Sequence, residues 1–388
     1  MKIAVAHDAM DGAGGVETYL ARLIPALQAR GHAVALLCRR SGTGADRIGV
    51  DLLVDVEGKG VDAAFRELRR WGADVCFSHN MAPLDVERRA LAEWPVVKMM
   101  HGYFGTCVSG LKTHAFPSMQ SCDRVLGGGC LALYAPRRCG PLHPVKLLNG
   151  YRWAAAQRAL LPQYAALVVA SSHMGREYSR HGVDRERLNV LPLFSTVSAD
   201  GDRTEGTAVL FLGRMTTLKG GQLLIQAMAE VNRRLRRRVP LIVAGTGPQQ
   251  EEWRRLAASL DVDAEFPGWI EGSARSALFH RVAVLVVPSV WPEPFGLVGL
   301  EAATFGIPAV AFDVGGIREW LRHDVTGRIV HPADGAGGLA AEIAALLSDE
   351  GSRRRLGEGA REAAKTMSLD AHVSRLEYIL ERAASRRV

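Results

Sequence analysis

Short apolar runs bounded by Gly, Pro or polar residues alternate along the chain with stretches whose apolar positions recur three and four residues apart. Lys2 to Ala6 reads as a buried strand, Asp11-Gly12-Ala13-Gly14-Gly15 as a loop, and Val16 to Arg30 as a helix. Val16, Tyr19, Leu20, Leu23 and Leu27 form that helix's apolar face. Gly31 ends it, and Ala33 to Cys38 is the next strand. Further strands are predicted at Asp74–His79, Pro95–Met100, Leu167–Ala170, Asn189–Pro192, Ala208–Leu212, Leu241–Ala244 and Val284–Val287, with helices at 336–348, 351–366 and about 369–385. Strand, loop and helix alternate in both halves, which predicts an α/β protein with parallel sheets. Ser195 to Gly206 is polar and without periodicity, so it is the expected linker. At 388 residues the chain exceeds what one core usually supports. The expected division is a first domain over 1–194 with an insertion at about 105–145, a linker over 195–206, a second domain over 207–368, and a final helix over 369–388 packing back across the junction.

One stretch organises the candidate chemistry. After the Val284–Val287 strand, Pro292 and Pro294 hold Glu293 on a stiff turn, and Gly296 opens an apolar helix that carries Glu301. The start of a helix has free N–H groups and a positive dipole end, which suits phosphate. Glu301 sits in an apolar helix and needs a partner; a pair of ribose hydroxyls would serve, and a surface position is the bland alternative. Between a strand and a helix, Arg214 and Lys219 stand five residues apart and can close on one diphosphate. Gly245 and Gly247 follow the Leu241–Ala244 strand. In the first half, His101 stands just past a strand end, where open α/β sheets bind ligands. His79 is a lesser candidate, expected to line an acceptor.

Composition narrows the class. Apolar residues make up 48% and charged residues 23%, values of an ordinary globular protein. No apolar run is long enough to cross a bilayer, and the N-terminus is charged too early for a signal peptide. A cytoplasmic protein is expected, with peripheral contact at the inner membrane face as an option left by the net charge of +7. The basic residues read as dispersed and without interleaved aromatics, which argues against nucleic acid. The densest run, Arg233 to Arg238, ends a predicted helix, where cations complement the dipole. Cys107, Cys122, Cys130 and Cys139 fall in one irregular, Gly- and Arg-rich segment, near His114 and His143. Four thiols there suit a structural zinc or an iron–sulfur cluster. CxxC spacing is missing, so reduced thiols and disulfides stay open.

With Pro294-Phe295-Gly296 between them, Glu293 and Glu301 resemble the E-x7-E segment of family 4 retaining glycosyltransferases. Gly14-Gly15-Val16-Glu17 resembles the family's GG-x-E turn, Gly213-Arg214…Lys219-Gly220 its GR…KG motif, and Gly245-Thr246-Gly247-Pro248 its G-x-GP segment. Phe266-Pro267-Gly268 is similar to its F-x-G segment, and Gly315-Gly316…Glu319 to its GG-x-x-E turn. The resemblance implies the GT-B fold, two Rossmann-like α/β domains facing each other across a cleft. The first would take the acceptor and the second a nucleoside-diphosphate sugar. It places His101 and Glu293 against the donor sugar as catalytic residues, and Glu301 on the ribose. Arg214 and Lys219 would hold the diphosphate. Gly14, Gly15, Gly245, Gly247 and the backbone from Phe295 through Gly296 and Leu297 to Val298 would complete the nucleotide-sugar site. It also implies retention of configuration with no cofactor required for catalysis, and a hydroxyl acceptor that is a glycan, lipid or small metabolite. The rival is an NADP oxidoreductase, using the first glycine loop with Arg39-Arg40, although Glu17 occupies the third glycine position of a dinucleotide fingerprint. A non-catalytic nucleotide-sugar binding protein is the other.

Overall fold

The computed structural model describes residues 1–10, 14–42, 44, 48–81, 83–198, 206–270 and 272–385. Asp11 to Ala13 of the first glycine loop and residues 199–205 of the polar stretch lie outside them. The chain forms two compact units. One comprises Met1–Pro117, Cys122–Pro192 and Leu369–Val388; the other comprises Ser118–Ser121 and Leu193–Ser368.

The first unit is built on a parallel sheet of β1 (Lys2–Ala9), β2 (Ala33–Arg40), β3 (Leu52–Asp55), β4 (Val75–Ser78) and β5 (Val96–Met100). Two-residue strands β6 (Thr113–His114) and β7 (Gln120–Ser121) follow, and then β8 (Ala166–Val169) and β9 (Leu188–Val190) complete the sheet. Its order is β3-β2-β1-β4-β5-β8-β9. Ile3 to Ala6 and Val34 to Cys38 are buried on both faces, as continuous β-branched and apolar runs predict for a parallel sheet covered by helices. The Gly15–Ala29 helix lays Tyr19, Leu20, Leu23, Ile24 and Leu27 on the core. The last helix, Leu369–Ala384, also belongs to this unit. Within it, His372 Nε2 meets the Tyr19 hydroxyl at 2.8 Å and Glu377 pairs with His32 at 2.8 Å.

The second unit has a parallel sheet of β10 (Ala208–Leu212), β11 (Leu241–Ala244), β12 (Ala264–Gly268), β13 (Val282–Val287), β14 (Ala309–Phe312) and β15 (Gly327–Val330). The order is β12-β11-β10-β13-β14-β15, with every strand of β13 and β14 buried along its length. Strand order reverses between β1 and β4 in the first sheet and between β10 and β13 in the second. Loops at the carboxyl ends of those strands diverge and leave a crevice, the usual place for a ligand in open α/β sheets.

Candidate active site

In the second unit, the loops after β10 and β13 meet at that reversal. Lys219 closes the short Thr217–Lys219 turn after β10, and Glu293 lies on the loop after β13. Lys219 Nζ donates to Glu293 Oε1 at 2.6 Å, and Ser289 Oγ donates to the same oxygen at 2.5 Å. Glu293 is buried, whereas Lys219 keeps part of its side chain in solvent. The ammonium also lies 5.4 Å from the Trp291 ring centroid. The geometry depends on glycine at two places. Gly220 has φ +69°, and a Cβ there would fall 1.8 Å from the Pro288 carbonyl oxygen, so only glycine lets the two loops touch. Gly315 has φ +57°, and a Cβ there would fall 2.3 Å from the Glu293 carbonyl oxygen. Next to it, Gly316 N–H donates to that carbonyl at 2.7 Å, so the Gly315-Gly316 turn after β14 seats Glu293 from behind.

Phe295 is buried, and its carbonyl accepts from Trp320 Nε1 at 2.8 Å. Gly296 adopts φ +84° and caps the Leu297–Thr304 helix without a side chain. The first-turn N–H groups of Leu297 and Val298 therefore have no capping side chain and point out of the helix start, where an anion is favoured. Arg214, at the carboxyl end of β10, is exposed and forms no ion pair among the described residues. Gly213 N–H donates to the Ala244 carbonyl at 3.0 Å, and Met215 N–H to Thr246 at 2.8 Å, which draws the Gly245–Gly247 turn beside Arg214. Arg214, Lys219, the Gly245–Gly247 turn, Glu293 and the Leu297 helix start thus all lie on loops at the same edge of three neighbouring strands, β11, β10 and β13.

Glu301 is completely buried inside its helix. Two residues that motif reading did not single out satisfy it. Thr196 Oγ1 donates to Oε1 at 2.7 Å, and Arg275 Nη2 pairs with Oε2. Arg275 comes from the Gly272–His280 helix, whose sequence carries no ligand motif, so nothing local signals its role.

The first unit gathers a second set. His7 lies within β1, while His79 and His101 stand just beyond β4 and β5. His79 Nδ1 and His101 Nε2 are 2.8 Å apart with the rings stacked, and Tyr19 lies edge-on to His101. The His101 ring keeps some accessible surface but is enclosed by protein; burial, reinforced by the charges of His7 and Lys98, pushes its pKa down to about 3. Burial likewise drives His79 well below the ordinary imidazole value. Both rings are therefore neutral near pH 7. His79, expected to line an acceptor, is fully buried and serves instead to hold His101. Beneath it, Lys98 Nζ donates to the His79 carbonyl, to Ser78 Oγ at 3.0 Å and to Glu87 at 3.0 Å. Gly14 caps the Gly15–Ala29 helix without a side chain. Glu17 folds back over it: its carboxylate lies 2.0 Å from where a Gly14 Cβ would stand. Glu17 also reaches His7 Nε2 at 3.5 Å, a contact that lowers its pKa. The space over the glycine turn thus already holds a carboxylate.

Two sequence expectations take a different form. All six cysteines are free. Among the described residues no group of three or more His, Cys, Asp or Glu is placed to hold a metal ion. Cys107 Sγ contacts Ser109 Oγ at 3.4 Å and Cys130 Sγ the Val125 carbonyl at 3.9 Å. His114 and His143 point at the backbone of Phe116 and Lys146. Burial, with the neighbouring Cys122, Cys107 and Cys130, pushes the Cys139 thiol up to about 11, which favours the protonated form. Arg39, where a 2′-phosphate would be read, is already held by Asp8 at 2.8 and 3.0 Å and by Glu57.

Comparison with solved structures defines the class. The fold is GT-B: a structure of Anabaena HepE in complex with UDP-glucose superposes with a TM-score of 0.72 at 18% identity, covering 98% of this chain and 99% of that one. Residues 13–194 match the family model described as Glycosyltransferase Family 4, and residues 198–363 the model described as Glycosyl transferases group 1. Together the two models take in most of the chain, and it belongs to the family 4 glycosyltransferases. Among curated relatives, it is 34% identical to an uncharacterised glycosyltransferase of Methanocaldococcus jannaschii over 163 residues, which is 42% of this chain and 41% of that protein. It is 35% identical to a D-inositol 3-phosphate glycosyltransferase of Corynebacterium efficiens over 185 residues, which is 46% of this chain and 43% of that protein. The matches thus span a little over four tenths of the length of these relatives.

Proposed function

We propose that the protein transfers a sugar from a nucleoside-diphosphate sugar to an acceptor hydroxyl, with retention of configuration. The observation that carries this reading is the Lys219–Glu293 pair at the strand reversal of the second sheet, beside an uncapped helix start and the exposed Arg214. Residues 207–368 would bind the donor and residues 1–194 the acceptor. The bond between the anomeric carbon and the diphosphate oxygen breaks as a bond to the acceptor oxygen forms. Positive charge then develops on the sugar and negative charge on the departing diphosphate. Arg214, Lys219 and the N–H groups of Leu297 and Val298 stabilise that negative charge. Glu293, held in one orientation by Ser289 and Lys219, positions the sugar. Neutral His101 offers a hydrogen bond without adding a positive charge next to the one developing on the sugar. The acceptor proton passes to the departing phosphate oxygen, which leaves no need for a separate carboxylate base. Glu301 holds the ribose, with Thr196 and Arg275 as its present partners. UDP-glucose in the Anabaena HepE structure makes a uridine nucleotide the first donor to try. The acceptor is a glycan, a lipid or a small metabolite, and the setting is the cytoplasm, with peripheral contact at the membrane.

A thermal-shift screen of the wild type and of Glu301→Ala against UDP, GDP, dTDP, ADP and NADPH tests the reading. Ligand at about a hundred times its dissociation constant stabilises by about 2.7 kcal/mol. One nucleoside diphosphate should do so, with a smaller ligand-induced shift in the variant. Stabilisation by NADPH alone would sink the transferase.

A further inference from the structure

The cations of this chain are not evenly dispersed, as the sequence taken whole suggests. Between residues 101 and 160 seven Lys and Arg stand against Asp123 alone, a net +6 of the chain's +7. The same segment carries most of the large apolar side chains left in water: Phe116 is 53% exposed, Leu142 65% and Val145 60%, with Val125 and Leu148 exposed as well. Large apolar groups scattered singly need no explanation, but a concentration of them among unpaired cations does.

The Pro144–Leu160 helix shows how the two properties share a surface. Its inner side lies on the first unit: a Cβ at Gly150 would stand 3.2 Å from the Val108 carbonyl, Ala154 is buried, and Trp153 packs edge-on against Phe104 at 5.6 Å. At the helical spacing of 100° per residue, Val145, Leu148 and Arg152 fall within an arc of about 60° on the other side. All three are exposed, as is Lys146 on the first turn. Arg138, four residues before Leu142, is within about 14 Å of it even along a fully extended chain. Its guanidinium lies over the Phe116 ring at 5.8 Å, and the Phe116 N–H donates to the Arg137 carbonyl at 3.1 Å. Arg124, Arg138, Lys146 and Arg152 form no ion pair among the described residues.

We propose that this surface of the first unit, centred on Phe116, Arg138, Leu142, Val145, Lys146 and Leu148, docks on an anionic lipid bilayer. Exposed apolar tips would enter the boundary between headgroups and acyl chains, and the cations beside them would meet lipid phosphates. Charge complementarity selects this occupant: an ordinary apolar protein partner would not call for cations without counter-charges around the contact. No helix among the described residues is long and apolar enough to span a membrane, so the contact would be peripheral. It does not depend on the transferase reading: its residues belong to the segment between β5 and β8, and none of them is assigned to the nucleotide-sugar site.

Co-sedimentation of the full chain with vesicles provides the test. Vesicles of equal parts phosphatidylcholine and phosphatidylglycerol should pellet the protein, while pure phosphatidylcholine should not, and added salt should release it. Val145→Asp with Leu148→Asp should lower partitioning about tenfold or more. Arg138→Gln with Lys146→Gln should lower it about fivefold per cation removed. All four positions are exposed, so the melting temperature and the nucleotide-induced shift should match the wild type. Failure of the wild type to pellet with anionic vesicles, or pelleting of both double variants as complete as that of the wild type, would overturn the proposal. Loss of nucleotide binding with vesicle binding intact would instead count against the transferase.

Discussion

Replacing Arg275 with methionine isolates the electrostatic problem at the centre of the second unit. Glu301 is fully buried, with one carboxylate oxygen on Thr196 and the other on Arg275. Methionine keeps much of the arginine's length and apolar contact but removes the charge, so the carboxylate loses its only charged partner among the described residues. Breaking a buried ion pair from one side costs about 3–5 kcal/mol. The Arg275 side chain keeps about a fifth of its surface, 22%. Solvent screening therefore puts the expected loss at the lower end, about 3 kcal/mol. Urea unfolding followed by tryptophan emission reports on this unit, because Trp253, Trp269, Trp291 and Trp320 are four of the chain's seven tryptophans. The pair has a second signature. Arg275→Met combined with Glu301→Gln removes the buried charge altogether and should recover at least half of the lost stability, because no uncompensated carboxylate remains. A single Arg275→Met variant within about 0.5 kcal/mol of wild type, the size of a neutral surface substitution, would show that Glu301 does not need Arg275. Equal losses in the single and double variants would show that packing, not charge, was removed.

Lys219→Ala should weaken nucleoside-diphosphate binding by ten- to a hundredfold in calorimetry, the equivalent of a charged hydrogen bond of about 1.5–3 kcal/mol. An unchanged affinity would remove Lys219 from the phosphate site. Gly315→Ala should destabilise the second unit by about 1–3 kcal/mol, through left-handed strain and the collision with the Glu293 carbonyl; melting as cooperative and as high as wild type would contradict this. Acid should also act through buried imidazoles. Burial holds His101 at about 3, His372 at about 4 and His79 well down, against about 6.5 unfolded. The unfolded chain thus binds more protons below pH 6.5. The stability these groups contribute is complete above that pH and is lost on acidification toward 3–4, at up to about 1.4 kcal/mol per pH unit for each ring. Urea midpoints at pH 7.5 and 5.5 should differ less in His372→Gln than in wild type, and an identical difference would exclude His372 from the linkage.

Much of the fold was legible because parallel strands covered on both sides must be continuously apolar. Val284–Val287 and Ala208–Leu212 announce themselves by composition alone. Some errors are at ends, where polar residues continue a strand: β1 runs on through His7 and Asp8 to Ala9, since the parallel pairing with β2 persists to Arg40. Others are whole strands, for β3, β14 and β15 were not predicted. Phe266, which could pass for a core residue, lies only partly buried in the edge strand β12 with Arg254 over its ring at 4.7 Å; nothing in its own segment says that the strand has a single neighbour.

The site divides along the same line between local and distant information. Gly220, Gly296 and Gly315 were readable because each answers a backbone requirement within its own turn, and Lys219 and Glu293 because they ride on those turns. What sequence could not supply is the partner of each buried charge. Glu301 reads as an acidic residue waiting for a ligand, yet its present partners stand 105 and 26 residues away in sequence. His79 reads as a residue facing a substrate, yet it reaches His101 across 22 residues and has no exposed surface. A lone ionisable residue in an apolar run therefore tells of an obligation to be paired, not of what fulfils it. For Glu301 a ribose would have to be accommodated beside, or in exchange for, Arg275 and Thr196. If the guanidinium moves aside when nucleotide binds, the affinity measured in Arg275→Met should rise, because the bound state no longer has to break an ion pair. A fall in affinity would show instead that Arg275 is needed to hold Glu301 in place for the ribose.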